Sequence, residues 1–276
     1  MISVIICSVN PSDLEKISNS MKDTIGVQYE IVPIYNNENN FSLLEAYDKG
    51  ALVSKYEFLV FVHEDVEFIT NNWGEKLLNI LNAKEIGVVS VAGSTYLPSV
   101  PSGWYLPDER YNKVFIHQGF KYCTKPVRLD DQGEDLTPVF LLDGVFLAMR
   151  KTVWQEFQYN KYLDGFHAYD VDISQRVSSE YQNVFTKQIE ILHHSEGKVD
   201  KNYFDAILEY KKAFVNFKYP KRDFRLEFQL LQKLYTQLRC YYEKNECIEK
   251  LKPYIKIKNL GWKGYFSFFN MLRNEK

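Results

Sequence analysis

The first hundred residues alternate between two hydrophobic periodicities, and this alternation constrains the fold more than any other feature. Ile2 to Cys7 is a continuous apolar run of the buried-strand kind. Ser12 and Glu15 have capping-box spacing, and Leu14, Ile17 and Met21 follow at helical spacing. Tyr29 to Tyr35 reads as a second strand. Ser42 and Glu45 mark another capping box, opening a helix to about Ala51. Phe58 to Val62 is a third strand. Asn72 precedes a helix carrying Trp73, Leu77, Ile80 and Leu81, and Gly87 to Val91 is a fourth strand. Strand–helix repeats of this kind predict right-handed βαβ units, hence an α/β fold with a mostly parallel central sheet flanked by helices.

Residues 93–138 break the rhythm. They hold five of the nine prolines, together with Gly103, Gly119 and Gly133. Val114 to His117 and Tyr122 to Val127 predict a hairpin inside a long excursion, and such excursions are usually functional loops or lids. The apolar pattern resumes at Val139 to Met149, interrupted by Asp143-Gly144. Helical signals cover Thr152 to Phe157 and Asp170 to Ser179, and Gln188 to His193 reads as a last strand. Beyond about Asp200 the signals are helical only: Tyr203 to Phe217 and Phe224 to Tyr242, separated by Pro220. The expected organisation is an α/β domain over 1–200 and a helical region over 201–276. Leu260 to Phe269 is strongly aromatic, with Lys263, Arg273 and Lys276 around it. Packing back onto the domain is the first expectation for it; peripheral docking on a membrane or a partner is the second.

Composition removes several classes. A formal charge of −2 provides no polybasic surface for nucleic acid. The 20 Tyr and 19 Phe suit sugar stacking, but core packing accounts for most of them. Cys7, Cys123, Cys240 and Cys247 show no paired spacing, which fits a reduced, cytoplasmic compartment. Met1 leads straight into a strand rather than a signal sequence, and no apolar run approaches the roughly 20 residues of a membrane span.

Four short segments are candidates for the chemistry. In the run 57–67, an apolar strand ends in His63-Glu64-Asp65. Ligands bind at the carboxyl ends of strands in α/β sheets, and crowded carboxylates repel unless a cation shares the site. This segment is either a place for a divalent metal and a bound anion or a solvated acidic turn. Asp143-Gly144 places one acid inside an apolar run, which is costly unless the acid is paired or bound; a turn between strands is the alternative. Asp170 sits where a helix should begin, as an N-cap, a role compatible with catalysis. His193-His194 follow the last strand, and a neutral imidazole there is either a ligand for a divalent ion or structural. In sequence order these acids and imidazoles would gather at one edge of one sheet.

This order resembles the family-two glycosyltransferases of GT-A fold, and within them a bacterial subgroup with His-x-Asp-Val in place of Asp-x-Asp. The matching pieces are Ser3 to Ser8, Ala46 to Gly50, Phe61 to Val66, Leu142 to Ala148, Phe166 to Asp172 and His193 to Gly197, which place the resemblance over about residues 1–200. The resemblance implies transfer of a sugar from a nucleotide-diphosphate donor to a sugar or lipid-linked glycan acceptor; the expected location is the cytoplasm, with the inner face of the membrane as an option if the C-terminal aromatic segment docks there. It implies that Ser8 and Asn36 hold the nucleotide base, and that Asp65 ligates Mn or Mg together with His193 or His194, the former preferred. His63, Glu64, Asp143, Gly144 and Asp172 would contact substrate, and Asp170 would be the catalytic base. The chain departs from the family at Asn36, His63, Asp48 and Tyr169, which leaves a degenerate sugar-nucleotide-binding subunit as the alternative. A dinucleotide-binding or P-loop reading fails for want of the glycines.

Overall fold

A computed structural model describes residues 1–39, 41–119, 127–130, 133–160, 162–163, 165–195, 197 and 199–275, with backbone alone at 127–130. The alternation of the first hundred residues appears as β1 (Ile2–Ser8), α1 (Pro11–Thr24), β2 (Tyr29–Tyr35), α2 (Leu43–Val53), β3 (Phe58–Val62), β4 (Val66–Phe68), α3 (Trp73–Leu81) and β5 (Ile86–Ser90). Then follow β6 (Ala92–Ser94), β7 (Asn112–Gln118), β8 (Val127–Asp130), β9 (Leu136–Val139), β10 (Leu141–Leu142), β11 (Phe146–Arg150), α4 (Lys151–Phe157), α5 (Tyr169–Val177), β12 (Gln182–Thr186) and β13 (Ile191–His193). The chain continues as α6 (Lys201–Lys212), α7 (Phe224–Leu238), α8 (Lys244–Leu251) and α9 (Ile257–Asn274).

The main sheet runs β2-β1-β3-β11-β5-β12-β9. It is mixed. β1 pairs in parallel with β2 and β3, and β12 with β5, whereas β11 runs antiparallel to both its neighbours and β9 antiparallel to β12. The long excursion after β5 brings the chain back from the opposite end, so β11 enters between β3 and β5 reversed. Strand periodicity splits the core into two layers. Leu59 and Phe61 of β3 pack with Tyr47, Leu147 and Ile173 on one face. Val60 and Val62 pack with Trp73, Phe146 and Ala148 on the other. A second sheet, β10-β6-β7-β13-β4 with β8 on β7, stands at the carboxyl end of β3.

Several local expectations are corrected. Asn10, not Ser12, caps α1: its side chain accepts from the Ser12 amide, and Pro11 takes the first turn, where no amide is needed. The Ser42–Glu45 capping box is present. The expected last strand, Gln188 to His193, is the shorter β13, and β12 before it is a strand that the sequence does not predict. Helix α5 starts at Tyr169, with Ala168 as its cap in the left-handed region (φ 63°), so Asp170 lies inside the first turn and is not the N-cap. The expected strand Tyr122 to Val127 falls almost wholly outside the described residues. Its neighbour β7 pairs with β8, which begins at Val127.

The C-terminal helices dock through a third apolar cluster that joins Leu226, Leu230, Leu231, Leu234 and Phe268 to Tyr96, Val100 and Leu106 of the excursion. Buried charge reinforces the joint. The fully buried Glu227 of α7 accepts from the Tyr96 hydroxyl (2.8 Å) and the Ser99 and Val100 amides (2.8 and 3.1 Å). Lys211 of α6, equally buried, reaches Gln175 Oε1 of α5 at 2.9 Å and lies between the rings of Tyr210 and Tyr219. Burial lowers its ammonium pKa to about 7.

Candidate functional site

The carboxyl end of β3 places His63 and Asp65 two residues apart. The turn before β11 closes on it, because the His63 amide donates to the Val145 carbonyl (3.2 Å). The short strand β4, which the sequence does not announce, pairs antiparallel with β13 and sets His193 opposite Val66. The Asp65 carbonyl accepts from the His194 amide at 3.0 Å, completing that junction. As a result the ligand atoms of His63, Asp65 and His193 all lie within 4.8 Å of one another.

The donor set fits a divalent cation. His193 Nε2 is buried without a hydrogen-bond partner and lies 3.5 Å from Asp65 Oδ1. A buried imidazole nitrogen left unsatisfied beside a carboxylate is the arrangement a cation would complete. Burial, then the neighbouring His193, lowers the His63 pKa and keeps that imidazole neutral, the form that ligates. Burial pushes the Asp65 carboxyl up, but the His193 and His63 imidazoles outweigh it and hold the group below the usual range. His194 points elsewhere: its Nε2 pairs with Glu67 at 2.6 Å on an exposed edge. His193 is the last residue of β13 and His194 lies just past it, and the two imidazoles turn to different carboxylates.

Tyr169 links the metal-type group to the acids. Its hydroxyl lies 2.9 Å from His63 Nε2 and donates to the Gly144 carbonyl at 2.9 Å. Residue 144 must be glycine for this contact, since a Cβ there would stand 2.1 Å from the Tyr169 oxygen. The Gly144 amide donates to Asp170 Oδ2 (3.2 Å), and the Val171 amide to Oδ1 (2.8 Å). The Val145 amide donates to Asp143 Oδ1 at 2.7 Å. Burial, then the nearby Asp143 charge, pushes the Asp170 carboxyl up to about 7 despite those amides.

A cleft of about 180 Å³ has His63, Asp143, Gly144, Tyr169 and Asp170 on its walls, with Trp104 and Tyr105 from the excursion and Tyr203 from α6. A second groove of about 310 Å³, between the 101–107 loop and helices α6 and α7, shares Gly103, Tyr105, Tyr203 and Ile207 with it. A third cavity of about 800 Å³ beside α2 and α4 contains none of the His–Asp–His residues, nor Asp143 or Asp170.

The remaining residues singled out in the sequence divide. Ser8 and Asn36 stand side by side at the ends of β1 and β2, the Asn36 amide nitrogen donating to the Ser8 carbonyl (2.7 Å). The Asn36 side chain is engaged in both directions with the Phe41 main chain at 2.8 Å. Glu64 accepts from the Val9 and Asn10 amides at 3.1–3.2 Å, pinning the start of α1 to the end of β3. Asp172 turns away from Asp170 and is buried against Arg176, with Nε at 2.9 Å. Asp48 accepts from Trp154 Nε1 (3.1 Å). Glu196, within the matching piece His193 to Gly197, lies outside the described residues. Sequence reasoning missed Tyr169 as the link, His63 as a member of the ligand group and Tyr203 as a wall of the cleft. Only the spacing of His63 and Asp65, which flank Glu64 at the strand end, gave a signal for any of the three.

A profile of the glycosyltransferase-like family matches residues 3–217. Among solved structures, the crystal structure of GalNAc-T7 with UDP, GalNAc and Mn2+ aligns with a TM-score of 0.55 at 12% identity, over 99% of this chain and 57% of that one. The structure of S. aureus TarS 1-349 in complex with UDP-GlcNAc aligns with a TM-score of 0.54 at 12% identity, over 95% of this chain and 82% of that one. The chain thus spans little more than half the length of GalNAc-T7. These two share its fold, the α/β GT-A arrangement, here with a C-terminal helical extension. A search of curated protein sequences finds no significant match.

Proposed function

Because the chain belongs to the glycosyltransferase-like family, we propose that it moves a sugar from a nucleotide-diphosphate donor to an acceptor hydroxyl, inverting the anomeric carbon. The observation that carries this reading is the shared cleft, in which His63 of the ligand group and the acids Asp143 and Asp170 line one wall system. The solved relatives of like fold were crystallised with UDP or UDP-GlcNAc, which supports a nucleotide donor.

In this reading the nucleotide lies at the ends of β1 and β2, against Ser8 and the loop that Asn36 shapes through Phe41. Glu64 acts by fixing the 9–10 main chain rather than by touching the donor. His63, Asp65 and His193 hold a divalent cation, and two imidazoles favour Mn over Mg. When bound there, the cation supplies charge to offset that developing on the leaving diphosphate. A cleft of about 180 Å³ takes the reacting sugar and not the whole donor. Asp170 takes the proton of the acceptor hydroxyl as its oxygen bonds to the anomeric carbon. The bond from that carbon to the diphosphate oxygen breaks on the opposite side, and the diphosphate carries away the electron pair. Trp104 and Tyr105 exclude water, whose attack would hydrolyse the donor. The adjoining groove receives the rest of the acceptor.

The test is donor hydrolysis with a panel of nucleoside-diphosphate sugars, with Mn or with chelator. Mn-dependent release of nucleoside diphosphate from one donor is expected. Absence of release from every donor, with binding retained, would instead favour the sugar-nucleotide-binding subunit.

A further inference from the structure

The C-terminal helix presents a surface that the transfer reaction does not use. Gly261, at φ 64° and ψ 170°, breaks α9, so residues 262–274 form a helical segment of their own. At 100° per residue, Gly264, Phe268 and Leu272 share one face of this segment, and all three are buried against the C-terminal core. Trp262, Phe266, Phe269 and Arg273 form a second stripe, about 130° round from the first. The three aromatics on it are 68%, 56% and 37% exposed, and the Trp262 and Phe266 rings stack with centroids 6.2 Å apart. Phe224, 47% exposed, lies against Gly261 and extends the patch. The first expectation for this segment is met on one face, which packs back, and the other face remains open.

Charge indicates what covers the open face. Between Glu249 and Glu275 there are six basic residues and no acid, in a chain whose formal charge is −2. Lys250 and Lys252 pair with Glu246 and Glu249. No acid among the described residues pairs with Lys258, Lys263 or Arg273, all of which are exposed. Among the described residues no helix is long and apolar enough to cross a membrane. An exposed aromatic stripe edged by basic side chains has the character of a helix that lies in the interface plane of an anionic bilayer. A second copy of the chain would bring like charges together and is the poorer occupant. We infer that residues 262–273 dock on an anionic lipid surface, with Trp262, Phe266 and Phe269 inserted and Lys263 and Arg273 against the headgroups.

The experiment is co-sedimentation of the full chain with phosphatidylcholine vesicles, with and without phosphatidylglycerol. Binding is expected only with phosphatidylglycerol, and high salt should reverse it. Trp262→Ala or Phe266→Ala should each lower the partition coefficient by roughly tenfold. Lys263→Glu with Arg273→Glu should abolish it. All these variants should keep the wild-type circular dichroism and donor hydrolysis. Failure of the wild type to bind phosphatidylglycerol vesicles would overturn the inference. So would a dimer that Trp262→Ala dissolves in a chain that ignores vesicles.

Discussion

Asp170 owes its proposed chemistry to its surroundings. A carboxyl at about 7 is half ionised near neutrality, where a general base works best. The kcat/KM profile should therefore show an acid limb near pH 7 before the cation lowers it, and activity should fall below that limb. The same environment costs stability. Because the folded pKa lies above the ordinary value of 3.8, the native state binds the extra proton between those two values. Stability is therefore lost as pH rises from about 4 to about 7, by at most about 4 kcal/mol, less whatever water in the cleft screens. Asp170→Asn removes that penalty but leaves one of the two amide donors, from Gly144 or Val171, without an acceptor, at about 1–3 kcal/mol. Thermal melts should show the variant more stable than wild type at pH 8 by about 1–3 kcal/mol, and no more stable at pH 4. Equal melting differences at both pH values would contradict the buried-carboxyl account.

At the scale of elements, the site depends on a junction that periodicity does not reveal. β4 is three residues long, and its pairing with β13 decides which histidine joins His63 and Asp65. The sequence placed acids and imidazoles at strand ends in the right order because hydrophobic runs mark strands. It could not show that three residues after Asp65 form an edge strand, nor that β11 enters reversed, because both follow from long-range pairing. Tyr169 stayed hidden for a related reason: nothing local says that its hydroxyl will meet Gly144 and His63. The different partners of His193 and His194 yield a prediction. His193→Ala should weaken Mn binding by about tenfold or more in calorimetry, and His194→Ala should leave it nearly unchanged; the reverse order would overturn the ligand assignment. Gly144→Ala should displace Tyr169 and loosen both His63 and Asp170, with activity falling by more than stability.

At the scale of the molecule, the C-terminal helices belong to the same structure as the cleft. Glu227 of α7 holds the 96–100 segment, which leads directly to Trp104 and Tyr105. Removing its carboxylate leaves a hydroxyl and two amides unsatisfied in a buried joint, so Glu227→Ala should cost about 3–5 kcal/mol in denaturant unfolding. Transfer to acceptor should suffer more than donor binding, since the proposed nucleotide position lies against the ends of β1 and β2, away from this joint. The helical character of this region was legible from its apolar spacing. The buried Lys211 and Glu227 were not, because a charged residue in an amphipathic pattern reads as solvent-facing until its partners are known.

The central claim is that a cation group and a proton acceptor serve one reaction in one cleft. The most direct measurement compares donor affinity with Mn and single-turnover transfer for the wild type and Asp170→Asn. The account predicts unchanged donor affinity with transfer slowed by about 10²–10⁴. Transfer by Asp170→Asn at the wild-type rate would contradict it.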